Sequence, residues 1–196
     1  MLFRSKLELR TARDSIGNGI YLVPEDRRVQ GLVVEMSIRE NITLPSLPRY
    51  ALLGLVRSGR EEVVAEKQVD SLQIKSPGIE AIVRNLSGGN QQKVVLGKWL
   101  AMDPKVIILD EPTRGIDVGA KAEIYKLMRE LAGQGTVILM ISSDMEEILH
   151  VSDRVMVMHE GRISGLLERQ DCTEENIMHL AVGREIAVAK PTFAEL

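Results

Sequence analysis

The chain has 196 residues, a length that suits one ordinary globular domain or slightly more. Apolar residues make up 44% and aromatic residues only 3%, so the expected core is sizeable and aliphatic. A net charge of −3 argues against a nucleic-acid binder, and the single cysteine, Cys172, rules out an internal disulfide. No apolar run approaches the ~18 residues of a membrane span, and the longest, Thr136 to Ile141, has strand length. The N-terminal stretch MLFRSKLELRTARDS is charged throughout and carries no signal-peptide core. A soluble protein, or one held at a membrane by a partner, is expected.

Taken in chain order, Ile20-Tyr21-Leu22-Val23 is the first buried strand. Residues 36–74 read as mainly helical, with no strand between them, and look like a helical insertion on an α/β core. Residues 91–101 form a further helix. Val106-Ile107-Ile108-Leu109 is the second strand. Residues 119–132 are helical and end at Gly133, where a glycine stop belongs. Residues 137–141 make the third strand. All three strands are apolar at every position, the pattern of parallel strands covered on both faces. A helix over 144–150 starts on acids, a hairpin turns at Glu160-Gly161, and Thr173 caps a last short helix. The tail from Arg184 lacks pattern and is expected to be mobile. There is no internal repeat.

Two stretches carry chemistry. Ser87-Gly88-Gly89 opens the helix at 91–101. A serine and two glycines at a helix mouth make a good phosphate seat, because the backbone can come close and free N–H groups face an anion. The stretch PKVIILDEPTRGID ends a strand in Asp110-Glu111-Pro112. Acids at the carboxyl end of a parallel strand point at the ligand crevice. Two acids in succession, closed by a proline, resemble a Walker B motif with a catalytic glutamate, in which Asp110 would hold Mg²⁺, usually through water, and Glu111 would orient or deprotonate an attacking water. Read alone, each stretch is also an ordinary capped helix or a turn with solvated acids.

Together, LSGGNQQK, VIILDEPTRGID and ISSDMEE resemble the nucleotide-binding subunit of an ATP-binding-cassette (ABC) transporter. The Asn-Gln-Gln variant and DEPTRGIDVGAK resemble the bacterial importers of ribose, galactose and xylose, whose ATPase is a tandem of two cassettes; this chain looks like the second. The resemblance runs from about residue 8 to residue 183. It implies an α/β P-loop NTPase-like fold with a parallel-sheet core and an inserted helical subdomain. The implied segments are 1–30, the end of the N-terminal lobe, and 31–94, a permease-coupling subdomain with the signature loop. Residues 95–183 would be the ATPase core, and 184–196 a tail.

The resemblance also implies roles. Ser87, Gly88 and Gly89 would contact the γ-phosphate of ATP held by an opposing cassette, with Gln91 a further nucleotide contact. Asp110 would be the Walker B aspartate holding Mg²⁺, and Glu111 the catalytic glutamate. Gly115, Ile116 and Asp117 would lie in the loop that crosses the dimer interface. Glu25 stands where the family has its Q-loop glutamine, and Ser143 where it has a histidine that contacts phosphate. His150, His159 and His179 are elsewhere and read as structural or exposed.

One motif is missing. The 196 residues contain no GxxxxGKS or GxxxxGKT, so the P-loop cradle and its lysine must come from another cassette. The family's P-loop strand is expected beside the strand that ends at Asp110, so the chain reads as a fragment or truncated product, unstable alone. The leading expectation is an ATPase component of a sugar importer at the cytoplasmic face of the cell membrane, with a permease and, indirectly, a periplasmic sugar-binding protein as partners. Two other readings compete: a soluble non-transport cassette ATPase, and an inactive remnant or interaction module.

Overall fold

The structure, a computed structural model, describes residues 7–52 and 55–186. Two compact units divide it, Met1–Ile141 and Ser142–Leu196. The first holds α1 (Ala12–Gly17), β1 (Ile20–Val23), α2 (Ile38–Thr43), α3 (Leu47–Tyr50), β2 (Ala51–Leu52), β3 (Leu55–Val56), α4 (Ser58–Ser71), α5 (Gly88–Leu100), β4 (Val106–Asp110), α6 (Val118–Gly133) and β5 (Val137–Ile141). The second holds α7 (Met145–Val151), β6 (Arg154–His159), β7 (Arg162–Glu168) and α8 (Glu174–Ala181).

The main sheet runs β1-β4-β5, all parallel, with Tyr21 beside Ile107 and Ile107 beside Ile138. The three expected strands therefore form one sheet. One expectation fails: β4 is hydrogen-bonded on both edges, so no strand can be missing beside it. Among the described residues the open edges belong to the outer strands, β1 and β5.

A second correction concerns the faces. Tyr21, Val23, Ile107 and Leu109 are buried, and Tyr21 stacks on Trp99 of α5 with ring centroids 5.3 Å apart. On the opposite face, Leu22, Val137, Leu139 and Ile141 are about half exposed. The strands are apolar at every position, yet among the described residues only one face is well covered.

The helical segment is real and is braced by polar contacts. Helix α2 packs on α4 and α5. Buried Glu61 accepts from Thr43 Oγ1 at 2.6 Å and pairs with Arg39 at 3.2 Å. Buried Asn41 accepts from the Val33 N–H at 2.8 Å and donates to the carbonyls of Val33 and Ser37. The segment is not wholly helical, because β2 and β3 pair antiparallel within it. At two residues each they are too short to leave an alternating pattern.

Helix α6 includes Gly133 and stops one step later. Gly135 takes φ +94, its N–H donates to Ala132 O, and the Thr136 N–H donates to Leu131 O. That pair of bonds is a Schellman stop. In the second unit the expected hairpin forms, with Glu160 and Gly161 both at positive φ as a tight primed turn requires. Val155, Val157 and Leu167 pack with Ile177 and Leu180 of α8, whose cap is the Thr173 hydroxyl. His159 Nδ1 lies 2.8 Å from Ala181 O, a structural tie, and His150 is exposed. For the expected mobile tail, residues 187–196 lie outside the described residues.

Candidate functional site

The seat at 87–89 is built as the sequence suggests. Ser87 is the N-cap of α5, a helix of 13 residues. Its hydroxyl oxygen accepts from Asn90 Nδ2 at 2.9 Å and from the Asn90 N–H at 3.4 Å. Both contacts use the oxygen as acceptor, so its own O–H can still be given to an anion. Ser87 is exposed.

The two glycines have a further reason to be glycines. A Cβ on Gly88 would lie 2.8 Å from Arg27 Nη2 and 3.2 Å from Gly115 O. A Cβ on Gly89 would lie 2.7 Å from the Cβ of Ala120. The seat is thus pressed against the loop after β4, and residues 87–89 and 115–120 form one surface.

That loop begins at the carboxyl end of β4 with half-buried Asp110. Glu111 has φ +46, a left-handed conformation that costs a non-glycine residue about 1–2 kcal/mol. Its N–H donates to Ile141 O at 2.9 Å, so the strained residue is fixed by the sheet. Such strain is concentrated at functional positions. Pro112 and Thr113 are buried, and the Arg114 N–H closes a turn onto Glu111 O. Gly115 takes φ +66. Exposed Asp117 caps α6, its Oδ1 accepting from the Ala120 N–H at 3.0 Å.

Glu25 joins this group by an ion pair with Arg114. Gln91 does not join it as a ligand. It is fully buried, donates from Nε2 to Val83 O at 3.1 Å and accepts from Arg28 Nε at 3.2 Å. Both ends of its amide are used inside the fold, so as placed it offers no polar atom to a nucleotide and acts as a strut. Ser143 lies in the second unit, where the neighbouring Ser142 donates to the buried carboxylate of Glu147 at 2.5 Å.

Sequence reasoning missed Arg27. Its Nη1 donates to Arg114 O at 2.9 Å and its Nη2 to Gly115 O at 3.3 Å. No periodicity announces a contact between residues so far apart in the chain.

Among the described residues no group of three or more His, Cys, Asp or Glu side chains could hold a metal. The lone Asp110 carboxylate instead fits Mg²⁺ that arrives with phosphates and keeps most of its waters.

Among proteins of known family, the ABC transporter family model matches residues 4–114. A xylose import ATP-binding protein of Moorella thermoacetica is 57% identical over 178 residues, covering 91% of this chain and 35% of its own. A putative ribose/galactose/methyl galactoside import ATP-binding protein of Rhizobium etli is 54% identical over 177 residues, covering 90% of this chain and 34% of its own. The chain thus spans about a third of the length of the curated relatives it matches. Among solved structures, a dimeric ATP-binding cassette in a post-hydrolysis state with ADP and Pi superposes with a TM-score of 0.69 at 20% identity, covering 83% of this chain and 68% of that one. A second cassette, in its ADP conformation, gives 0.66 at 23% identity, over 86% of this chain and 70% of that one. The fold is therefore that of an ABC ATPase cassette. With more than half of its residues matched by the family model, the chain belongs to the ABC transporter family.

Proposed function

We propose that these residues form part of the ATPase that energises import of a monosaccharide through an ABC transporter. In this reading Ser87, Gly88 and Gly89 close over the phosphates of ATP presented by another cassette's P-loop. Asp110 holds a water of Mg²⁺, Glu111 is the water-orienting base, and Asp117 and Glu25 line the approaches, while Ser143 stands at the sequence position of the family's phosphate-contacting histidine. Residues 31–94 face the permease, 95–183 carry Walker B and the loops after it, and the assembly sits peripherally on the cytoplasmic face of the membrane. No helix among the described residues is long and apolar enough to cross it.

The observation that carries the reading is the seat itself. An exposed serine hydroxyl and the N-terminus of a 13-residue helix stand on a floor made by Gly115 and Ala120. Helix-dipole and N–H stabilisation act there on an anion offered from outside the chain. The sugar import relatives support the substrate class.

Binding of labelled ATP with Mg²⁺ tests it. Without a P-loop, about three charge-assisted phosphate contacts are lost, roughly 5–9 kcal/mol or several orders of magnitude in affinity. Tight binding is expected only when a P-loop-bearing cassette is present. A micromolar Kd for the 196-residue chain alone overturns the proposal.

A further inference from the structure

Arg27 stands in a single π-helical turn, Arg27–Gly31, capped by the Asp26 carboxylate. Its guanidinium stands where three segments meet: its own turn, the seat at 87–89 and the loop at 113–117. Two of its nitrogens donate to the carbonyls of Arg114 and Gly115, and Nη2 fills the space beneath Gly88 where a Cβ would sit 2.8 Å away. Nε is buried and has no partner among the described residues. The adjacent acid, Asp26, is used as the cap of the turn, and the next one, Glu25, pairs with Arg114. The guanidinium is therefore spent on two consecutive backbone carbonyls, a task for which its planar fork is suited and a lysine's single ammonium is not.

We infer that Arg27 is a positioning residue, tying the Arg114 and Gly115 carbonyls to the floor of the phosphate seat and setting where Ser87-Gly88-Gly89 stands relative to Glu111 and Asp117. The inference rests on the function proposed above. The geometry separates this role from a folding role. The two bonds lie at exposed positions, and Arg114 and Gly115 are exposed, so their carbonyls can turn to water when the guanidinium is removed. The core residues Val23, Ile107 and Leu109 are buried, and the guanidinium's two hydrogen bonds go to neither them nor their neighbours in the sheet. What changes is the placement of the phosphate seat on the loop beneath it, to which rates are far more sensitive than stability is.

The test is steady-state Mg²⁺-ATP hydrolysis by the full-length protein assembled with its permease. Arg27→Met is expected to lower kcat roughly ten- to hundred-fold. The KM for ATP should stay within about two-fold and the melting midpoint should not move. Arg27→Lys should recover part of the rate. Gly88→Ala drives a methyl into Nη2, so it should cost much less in an Arg27→Ala background than in the native one. The inference is overturned by an Arg27→Met kcat within about two-fold of native, by a loss that follows the melting midpoint, or by additive costs in the Gly88/Arg27 cycle. Ser87→Arg in the same assay separates the two claims. If it hydrolyses ATP at the native rate, the functional reading itself fails. If it is dead while Arg27→Met is fully active, only the positioning role fails.

Discussion

The Cβ that Gly89 lacks would lie 2.7 Å from the Cβ of Ala120, closer than two carbons approach. The second glycine of the seat is therefore required by packing inside the chain, before any nucleotide arrives. Gly89→Ala is expected to destabilise the protein by about 1–3 kcal/mol through overpacking between α5 and α6. Ala120→Gly, added to it, should return most of that loss less the roughly 0.5–1 kcal/mol that glycine costs inside a helix. Chemical denaturation of the two single variants and the double variant measures this. Additive losses would mean that the contact is not the cause.

Lys93 is nearly buried, donates to Gln73 O at 3.1 Å and pairs with Glu123 at 2.6 Å, joining α5 to α6. The hydrogen bond from Lys93 holds the Glu123 carboxyl below its ordinary value, and the Lys93 and Lys75 charges add to it. A carboxyl with a lowered folded-state pKa binds fewer protons folded than unfolded. Its contribution is therefore complete above the ordinary glutamate value of about 4.3 and is lost as pH falls through the lower folded value. Glu123→Gln should be less stable than native at neutral pH, and the two should converge in acid. A gap between their urea midpoints that stays constant down to pH 2 would show that the pair does not act through charge.

The half-exposed Leu22, Val137, Leu139 and Ile141 make one apolar face on a sheet whose outer strands, β1 and β5, have no further strand paired to them among the described residues. Such a combination drives self-association. The 196-residue chain alone is expected to form high-mass species in solution. Leu139→Lys, which puts a charge in the middle of that face, should raise the monomer fraction in light scattering after size exclusion. An unchanged mass distribution would locate the sticky surface elsewhere.

The elements that the sequence announces are those decided by local chemistry. The aliphatic runs are strands, Ser87 and Thr173 are caps, and Glu160-Gly161 is a turn, because burial period, capping oxygen and positive φ are properties of a few adjacent residues. The strand order is not legible in that way. Residues 106–109 look the same whether their second neighbour is β5 or another strand, and the family expectation chose wrongly. An all-apolar strand likewise states that two faces can be covered, not that they are. Within the site, Gln91 reads from its position as a ligand and turns out to be a strut, while Arg27 carries no signal in the sequence and turns out to be a clamp. Both outcomes depend on bonds to residues far away in the chain, Arg28 to Gln91 and Arg27 to Gly115.

Ser87 and Glu111 stand on opposite sides of one division of labour. Ser87 caps α5 with its O–H still to be given, and its seat faces outward, so it serves a nucleotide that another cassette holds. Glu111 is fixed by Ile141 O at the end of β4 and would serve a nucleotide held beside Asp110. That second site needs a P-loop, and these residues contain none. In the assembled ATPase, Ser87→Arg places a long charged side chain where backbone must meet phosphate, and it also removes the cap that Asn90 uses. Most of the hydrolysis should disappear. Glu111→Gln keeps the shape and the left-handed backbone and removes only the base, a group worth about 10²–10⁴-fold where it acts. If the live site takes its base from the other cassette, the loss should be far smaller than that. Rates at saturating ATP decide it: a dead Glu111→Gln beside a largely active Ser87→Arg would place hydrolysis at the end of β4 and reverse the assignment.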